Sequence, residues 1–376
     1  MKHNIAENNF DLIRLLAALQ VAFLHVLHSL STQWSGAAIP QWLEIYPGVP
    51  IFFFISGFLI SRSFEKTASL GDYTRNRALR IFPALHVCVL VNLLLVAATG
   101  YFATVDVSFL DILGLYLAKT TILQFYNPDF MRQFGDGVLN GSLWTICVEL
   151  QFYFLTPILY VLFINRSRSR GNVAIITLLL LSLACNRLLY AAPYEYWNTV
   201  WWKLLRVSFI PWIYMFLFGV LVQRNFELCS RVLHKHLFPA LFVLYTGYAL
   251  AMKSIGYQMD NSFSPLLFFP LAAVTFAGAF SAPSLAHTLL RRQDISYGVY
   301  IYHVPVMNMF LYYGYKDELK FTFLTVAIAI VVGIASWLLV EKPSLRRKRR
   351  ASHPIEATPA LKISTDPQPS AERVKP

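Results

Sequence analysis

From Phe10 to Val340 the chain is a succession of apolar runs separated by short polar breaks, a pattern that no water-soluble fold can bury. The runs fall at residues 10–30, 48–61, 81–98, 143–164, 173–192, 207–222, 237–252, 263–281, 297–313 and 321–340. A hydrocarbon core of roughly 30 Å asks for about 20 helical residues, and unbroken apolarity is the mark of helices, whereas a barrel alternates. Only 14% of the residues are charged, against about 25% in ordinary soluble domains. The fold expected is therefore all-α, a polytopic membrane bundle of about ten transmembrane helices.

The net charge of +12 is distributed in a way that argues against nucleic acid as a partner. Segments 62–80, 165–172, 223–236, 282–294 and 342–350 together hold 19 Lys and Arg, whereas the intervening breaks hold six: Arg132, Lys203, Arg206, Lys253, Lys316 and Lys320. Such asymmetry orients helical membrane proteins, and it predicts that the basic set and both termini are cytoplasmic. The run 109–126 is a further case. A crossing there would invert every later segment, and Asp111 and Lys119 make it a poor span, so it is expected to be re-entrant or interfacial. Residues 1–8 then form a cytoplasmic N-terminus, 9–343 the membrane domain and 344–376 a basic tail that becomes rich in Pro, Ser and Thr and is expected to be disordered. Arg14, His25 and His28 interrupt the first run, which reads as an uncleaved helix. Cys88, Cys147, Cys185 and Cys229 are scattered without a disulfide framework or a zinc spacing, and no metal site is expected.

Ionisable groups inside spans cost about 2.5 to 3.5 kcal/mol on insertion scales and are functional candidates by default. Arg14 and His25 share the first helix. Eleven residues turn a helix by about 1,100° and raise it about 16 Å, so both lie on one stripe, Arg14 near the cytoplasm and His25 in the outer half. A plainer reading has the Arg snorkelling to headgroups and the His bonded to a neighbouring helix. Glu149, in the segment Trp144 to Tyr153, lies at a depth comparable to His25. It is a candidate to orient an imidazole or a sugar hydroxyl, or alternatively a structural partner of Arg187 or Arg206. Arg75, Arg77 and Arg80 form a dense cluster suited to the phosphates of a soluble donor, although such clusters also serve simply as anchors. His303 sits among tyrosines in Ser296 to Pro305, as a packing residue usually does, and His86 is a weaker candidate. Ser56 and Gly57 in the Phe-rich second run permit close helix approach.

Taken in order, these motifs resemble the acyltransferase-3 family of multi-pass membrane O-acyltransferases that modify bacterial surface polysaccharides. The resemblance rests on Arg14 and His25 with ten residues between them, the Phe-rich run ending Ser56-Gly57-Phe58-Leu59-Ile60, and the cluster from Arg75 to Pro83. It continues through Trp144 to Tyr153, Ser296 to Pro305 and Glu341-Lys342-Pro343. It implies an acyl-CoA donor, most simply acetyl-CoA, on the cytoplasmic side and a hydroxyl acceptor on a glycan or lipid-linked sugar, in the bacterial inner membrane with lipid as the surrounding partner. No permanently bound cofactor is implied. Arg14, His25, Arg75, Arg77 and Arg80 carry over as residues that matter, with Glu149 beside His25 as the catalytic pair and Trp144, Tyr153 and His303 as acceptor contacts. The sequence departs from the family at Pro50 and Leu150, where acidic residues are common. Two rival readings are a transporter of a lipid-linked sugar or small anion, and a succinyl or longer-chain transferase.

Overall fold

The computed structural model describes residue 5 and residues 7–348, apart from 68, 198, 234, 260–263, 283 and 292. The tail 351–376, expected to be disordered, and residues 1–4 lie outside the described residues. Among the described residues all regular structure is helical. Six stretches of the described residues are long and apolar enough to cross a membrane: Phe10–Leu30, Ala38–Glu65, Leu70–Ala98, Gly141–Ile164, Arg168–Ala191 and Leu319–Arg346.

Each of the ten expected runs coincides with a helix: α1 (Phe10–Leu30), α2 (Gly48–Glu65), α3 (Leu70–Ala98), α5 (Trp144–Leu159), α6 (Arg168–Ala191), α7 (Ile213–Arg224), α8 (Phe238–Ser254), α9 (Pro265–Ser281), α10 (Ser296–Tyr312) and α11 (Leu319–Ser336). Two helix starts differ most from expectation. Ser69 accepts the backbone N–H of Asp72 at 3.1 Å and starts α3 well before its apolar stretch, so the basic cluster rides on the helix itself. Pro211 disfavours helix just before it, and α7 accordingly begins only at Ile213.

The segment 109–126 holds α4 (Phe109–Lys119), whose rise of roughly 16 Å is about half a bilayer core. Ser108 and Asp111 close a capping box at its start. At its end Lys119 is buried and donates to the carbonyl of Gln124 at 2.7 Å. Tyr116 hydroxyl lies 2.9 Å from His86 on α3, and Cys147 on α5 donates to the carbonyl of Ile122 at 3.0 Å, so the segment leans into the bundle at a depth inside α5.

Close approach of backbones organises the middle of the bundle. Gly57 on α2 and Gly219 on α7 face one another's helices so tightly that a methyl group at either would strike the carbonyl of Phe216 or Phe54. Gly57 thus does permit close packing, whereas Ser56 lines a cavity and donates to Glu149 at 3.3 Å. Two helix prolines supply cross-links. Pro305 removes the N–H that would have bonded the carbonyl of Ile301, and that carbonyl accepts from Asn140 Nδ2 at 2.8 Å and Cys88 Sγ at 3.3 Å. Pro157 likewise frees the carbonyl of Tyr153, which accepts from the Tyr73 hydroxyl at 3.1 Å. The first ties α10 to α3 and to the entry of α5, and the second ties α5 to α3.

Candidate active site

Two cavities lie end to end inside the bundle. The first, about 340 Å³, opens toward the end where the basic segments gather and is lined by Arg14, Arg77, Arg80, Glu149, Tyr153, Asp294 and Lys348 among others. The second, about 680 Å³, lies toward the opposite end and is lined by Gln20, His25, His28, Glu44, Ser142 and Trp144 among others. Val49 and Tyr300 line both and form the partition between them. Tyr300 is fixed there by Thr145, whose hydroxyl is 2.7 Å from the phenol oxygen.

The basic cavity is organised by a carboxylate. Asp294 Oδ2 accepts Arg14 at 2.6 Å and Arg80 at 2.5 Å, while Oδ1 accepts the hydroxyl of Ser296 at 2.5 Å. Burial would push this carboxyl up, but the two guanidiniums and the Ser296 contacts overcome it and hold Asp294 well below the usual carboxylate range. Arg14 also pairs with Asp11 at 2.6 Å, and Arg80 lies 3.5 Å from Glu341. A wider i→i+5 turn at Trp337–Glu341 extends α11 and includes this carboxylate, which is almost wholly buried.

Arg77 differs from its neighbours on the same helix. Its guanidinium donates to Ser63 Oγ at 3.0 Å and lies 5.6 Å from the centre of the Tyr153 ring. The Nε atoms of Arg14 and Arg77 are buried without a hydrogen-bond partner, leaving donors on two residues that wall the cavity. Lys348 completes the cationic wall. Burial, then the proximity of Arg77, Arg80 and Arg14, pushes its ammonium down to about 7. Such a cationic wall suits a phosphate-bearing ligand. Arg75 is exposed and is not part of the lining.

The second cavity is lined by an ion pair, Glu44 with Lys253 at 2.6 Å, and, apart from it, by His25 of a pair of imidazoles. His25 Nδ1 lies 3.1 Å from His303 Nε2, and His303 Nδ1 lies 2.6 Å from the carbonyl of Tyr300. A carbonyl only accepts, so His303 must carry its proton on Nδ1 and present a lone pair at Nε2. His25 must then donate from Nδ1. Its own Nε2 is left with a free lone pair in the cavity wall, which is the form required of a base. His303 is fully buried behind it.

Glu149 lies elsewhere than beside the imidazole. It lines the basic cavity, where Oε1 accepts the Tyr153 hydroxyl at 2.7 Å and the Ser56 hydroxyl at 3.3 Å. Depth along a helix does not fix the direction in which a side chain points, and α1 meets α10 at His25, so the second histidine occupies the place expected for Glu149. Of its other suggested partners, Arg206 lies over the Trp197 ring at 5.5 Å and Arg187 donates to Asn186. Trp144 walls the histidine cavity and Tyr153 the basic one. Glu341 enters the sequence reading only within the motif Glu341-Lys342-Pro343, and Asp294 and Lys348 are not singled out there. An isolated acidic residue closing a basic segment, as Asp294 does, was the available signal. Lys348 looked like one more anchor in a run of cations.

A helical membrane protein that places a cationic cavity and a base-competent imidazole on either side of one partition has the construction of a membrane-embedded enzyme. The sequence pattern of the family described as acyltransferase domain matches residues 7–341, and the chain belongs to that family, acyltransferase-3. It is similar to Nodulation protein 10 of Rhizobium leguminosarum bv. viciae, with 31% identity over 90% of this chain and 93% of the relative. It is also similar to the O-acetyl transferase of Shigella phage Sf6, with 28% identity over 90% of this chain and 96% of the relative. The Peptidoglycan O-acetyltransferase OatA of Listeria monocytogenes serovar 1/2a shares 22% identity over 80% of this chain and 49% of the relative. No solved structure matches. The protein is an integral membrane acyltransferase.

Proposed function

We propose that the protein moves an acetyl group from cytoplasmic acetyl-CoA to a hydroxyl of a surface glycan or its lipid-linked precursor, across the partition between its two cavities. The observation that carries this reading is the pair of cavities meeting at Val49 and Tyr300, one walled by Arg14, Arg77, Arg80 and Lys348 and the other lined by the hydrogen-bonded imidazole of His25. Relatives named as O-acetyl transferases support the acyl group and, in the case of the peptidoglycan enzyme, the class of acceptor. The same reading has ten membrane spans with α4 re-entrant, the basic segments and both termini cytoplasmic, and the bacterial inner membrane as location. It takes its support from the split of 19 basic residues against six.

In this mechanism Arg77 and Lys348 supply charge to the CoA phosphates. Arg14 and Arg80, clamped by Asp294, keep the remaining donors of the wall in place. Glu149 and Tyr153 flank the path of the pantetheine arm and offer an acceptor and an aromatic face. The thioester carbonyl passes Tyr300 and reaches the histidine cavity. His25 Nε2 takes the proton of the acceptor hydroxyl as its oxygen attacks the thioester carbon; the C–S bond then breaks, and the imidazolium returns the proton to the departing thiolate. General-base assistance of this kind contributes about 10² to 10⁴ in rate. An acyl group carried briefly on His25 would use the same lone pair.

The test incubates purified protein in nanodiscs with labelled acetyl-CoA and extracted surface glycan. Label appearing on the glycan, and absent with His25→Gln, supports the reading. Movement of a lipid-linked sugar or an anion without label transfer would replace it by the transporter.

A further inference from the structure

A third cavity, about 660 Å³, lies beside the histidine cavity and shares Trp144 with it. Its walls come from the segment after α4, from α5 and α6, and from the short helix Val200–Arg206. They carry Tyr126, Trp144, Tyr190 and Trp212 as aromatic surfaces, and Lys203 and Arg206 as cations. The aromatic faces form a chain. Trp144 and Trp212 have centroids 5.4 Å apart, Tyr190 is 6.0 Å from Trp212, and Trp212 is anchored by donating Nε1 to the carbonyl of Arg206 at 2.8 Å.

Aromatic residues near a membrane surface commonly form a belt that faces lipid headgroups. This group is arranged differently. Trp212 is 2% exposed, and Trp144 stands between two internal cavities. Lys203 and Arg206 are exposed, with no carboxylate among the residues lining the cavity. They are also two of the six basic residues outside the basic segments, placed where orientation of the chain gains nothing from them.

We infer that this third cavity is a saccharide subsite for an anionic glycan. It would hold the sugar ring next to the one being acylated, and the inference rests on the acceptor assignment above. The C–H face of a pyranose is apolar and suits the indole and phenol surfaces, while a carboxylate or phosphate on the same glycan suits the two cations. Sharing Trp144 places the bound glycan next to the chamber that contains His25.

The test is equilibrium binding to the full chain in nanodiscs, so it needs no turnover and stands apart from the acetyl-transfer assay. Three probes are titrated: a glucuronate-containing tetrasaccharide, prenyl-diphosphate-linked N-acetylglucosamine, and neutral chitotetraose. At least one anionic probe is expected to bind tenfold or more tightly than chitotetraose, and which of the two does so identifies the source of the charge. In the double variant Lys203→Gln, Arg206→Gln this preference should fall below twofold. Trp144→Leu should weaken all bound probes severalfold, and acetyl-CoA binding in each variant checks that the bundle is intact. Equal binding of the three probes, no binding of any, or a preference that survives the double variant would overturn the inference. A wild-type protein that binds the anionic probe but transfers no acetyl group would instead leave the subsite standing and remove the acetyl-transfer reading.

Discussion

At the basic end Arg14, Arg77, Arg80 and Lys348 share a cavity with Asp11, Glu149 and Asp294, and two of the arginines meet on a single carboxylate. Beyond Tyr300 the central feature is an imidazole whose hydrogen bonds run to a second imidazole and then to a carbonyl, with no formal charge in the chain. On the proposed acyl transfer, the contrast follows from what each place has to do. Charge that will meet phosphates must be present before the ligand arrives, and a low-dielectric interior tolerates it only when it is paired. A base must keep a lone pair, so its surroundings have to fix one tautomer without a proton to spare. The basic wall is therefore ordered by ion pairs on Asp294 and the imidazole pair by hydrogen-bond direction, while the ion pair lining the histidine cavity, Glu44 with Lys253 at 2.6 Å, stands apart from the two imidazoles.

Breaking the imidazole pair should have the largest effect. In His25→Gln a hydrogen-bonding side chain remains but no base does, so kcat should fall by about 10² to 10⁴ while acetyl-CoA binding persists. Steady-state kinetics with separate donor titration measures both. Unchanged kcat would make the histidine pair a packing feature. His303→Leu removes the acceptor that fixes His25 and leaves Nδ1 without a partner; the cost of an unmade buried hydrogen bond, about 1 to 3 kcal/mol, corresponds to a loss of about five- to 150-fold. His303→Gln, which restores an acceptor oxygen, should recover part of it and thereby separate positioning from packing.

The charged end can be broken through Asp294. Asp294→Asn leaves two partly buried guanidiniums without their shared carboxylate, and since Arg14 keeps Asp11 and Arg80 keeps Glu341 the protein should lose less than the roughly 3 to 5 kcal/mol of a fully buried broken pair, read as a lower thermal midpoint in detergent. The sign with pH follows from the depressed folded value. The ion-pair contribution is fully present above the ordinary carboxylate pKa near 4 and is lost only as pH falls through the still lower folded value. The gap between wild type and variant should consequently stay constant from pH 8 to about 5 and close only in strong acid.

The smallest effect concerns Lys348. With the cavity empty its ammonium loses its proton as pH rises through about 7, whereas a bound phosphate favours the charged form. The apparent KM for acetyl-CoA should therefore rise roughly three- to tenfold between pH 6.5 and 8.5. Lys348→Arg should flatten that dependence. A flat wild-type profile would take Lys348 out of the donor wall.

The two ends were not equally legible in the sequence. Apolar runs locate helices because burial in lipid demands length and apolarity alone, and the expected spans each meet a helix. Arg14, Arg77 and Arg80 converge as a cluster of cations on a span should. Arg75 does not, because its position on α3 turns it to the surface, and a local count of arginines carries no information about facing. Helix arithmetic put His25 and Arg14 on one stripe, but which helix would face that stripe depends on packing over long range. That is why His303, nearly 280 residues away, and not Glu149 meets the imidazole. Asp294 was hidden for a similar reason, since its two arginines come from α1 and α3.

The central claim is that a donor bound at the basic end is used by a base on the far side of the partition, and sided reconstitution tests it most directly. The protein is placed in sealed proteoliposomes, its orientation fixed by labelling a cysteine introduced at Ser167, with labelled acetyl-CoA supplied only to the basic face and the glycan only to the other. The account predicts labelled glycan on the opposite face, dependent on His25, and none when the two substrates are exchanged. Label appearing only when donor and acceptor share one face would contradict it.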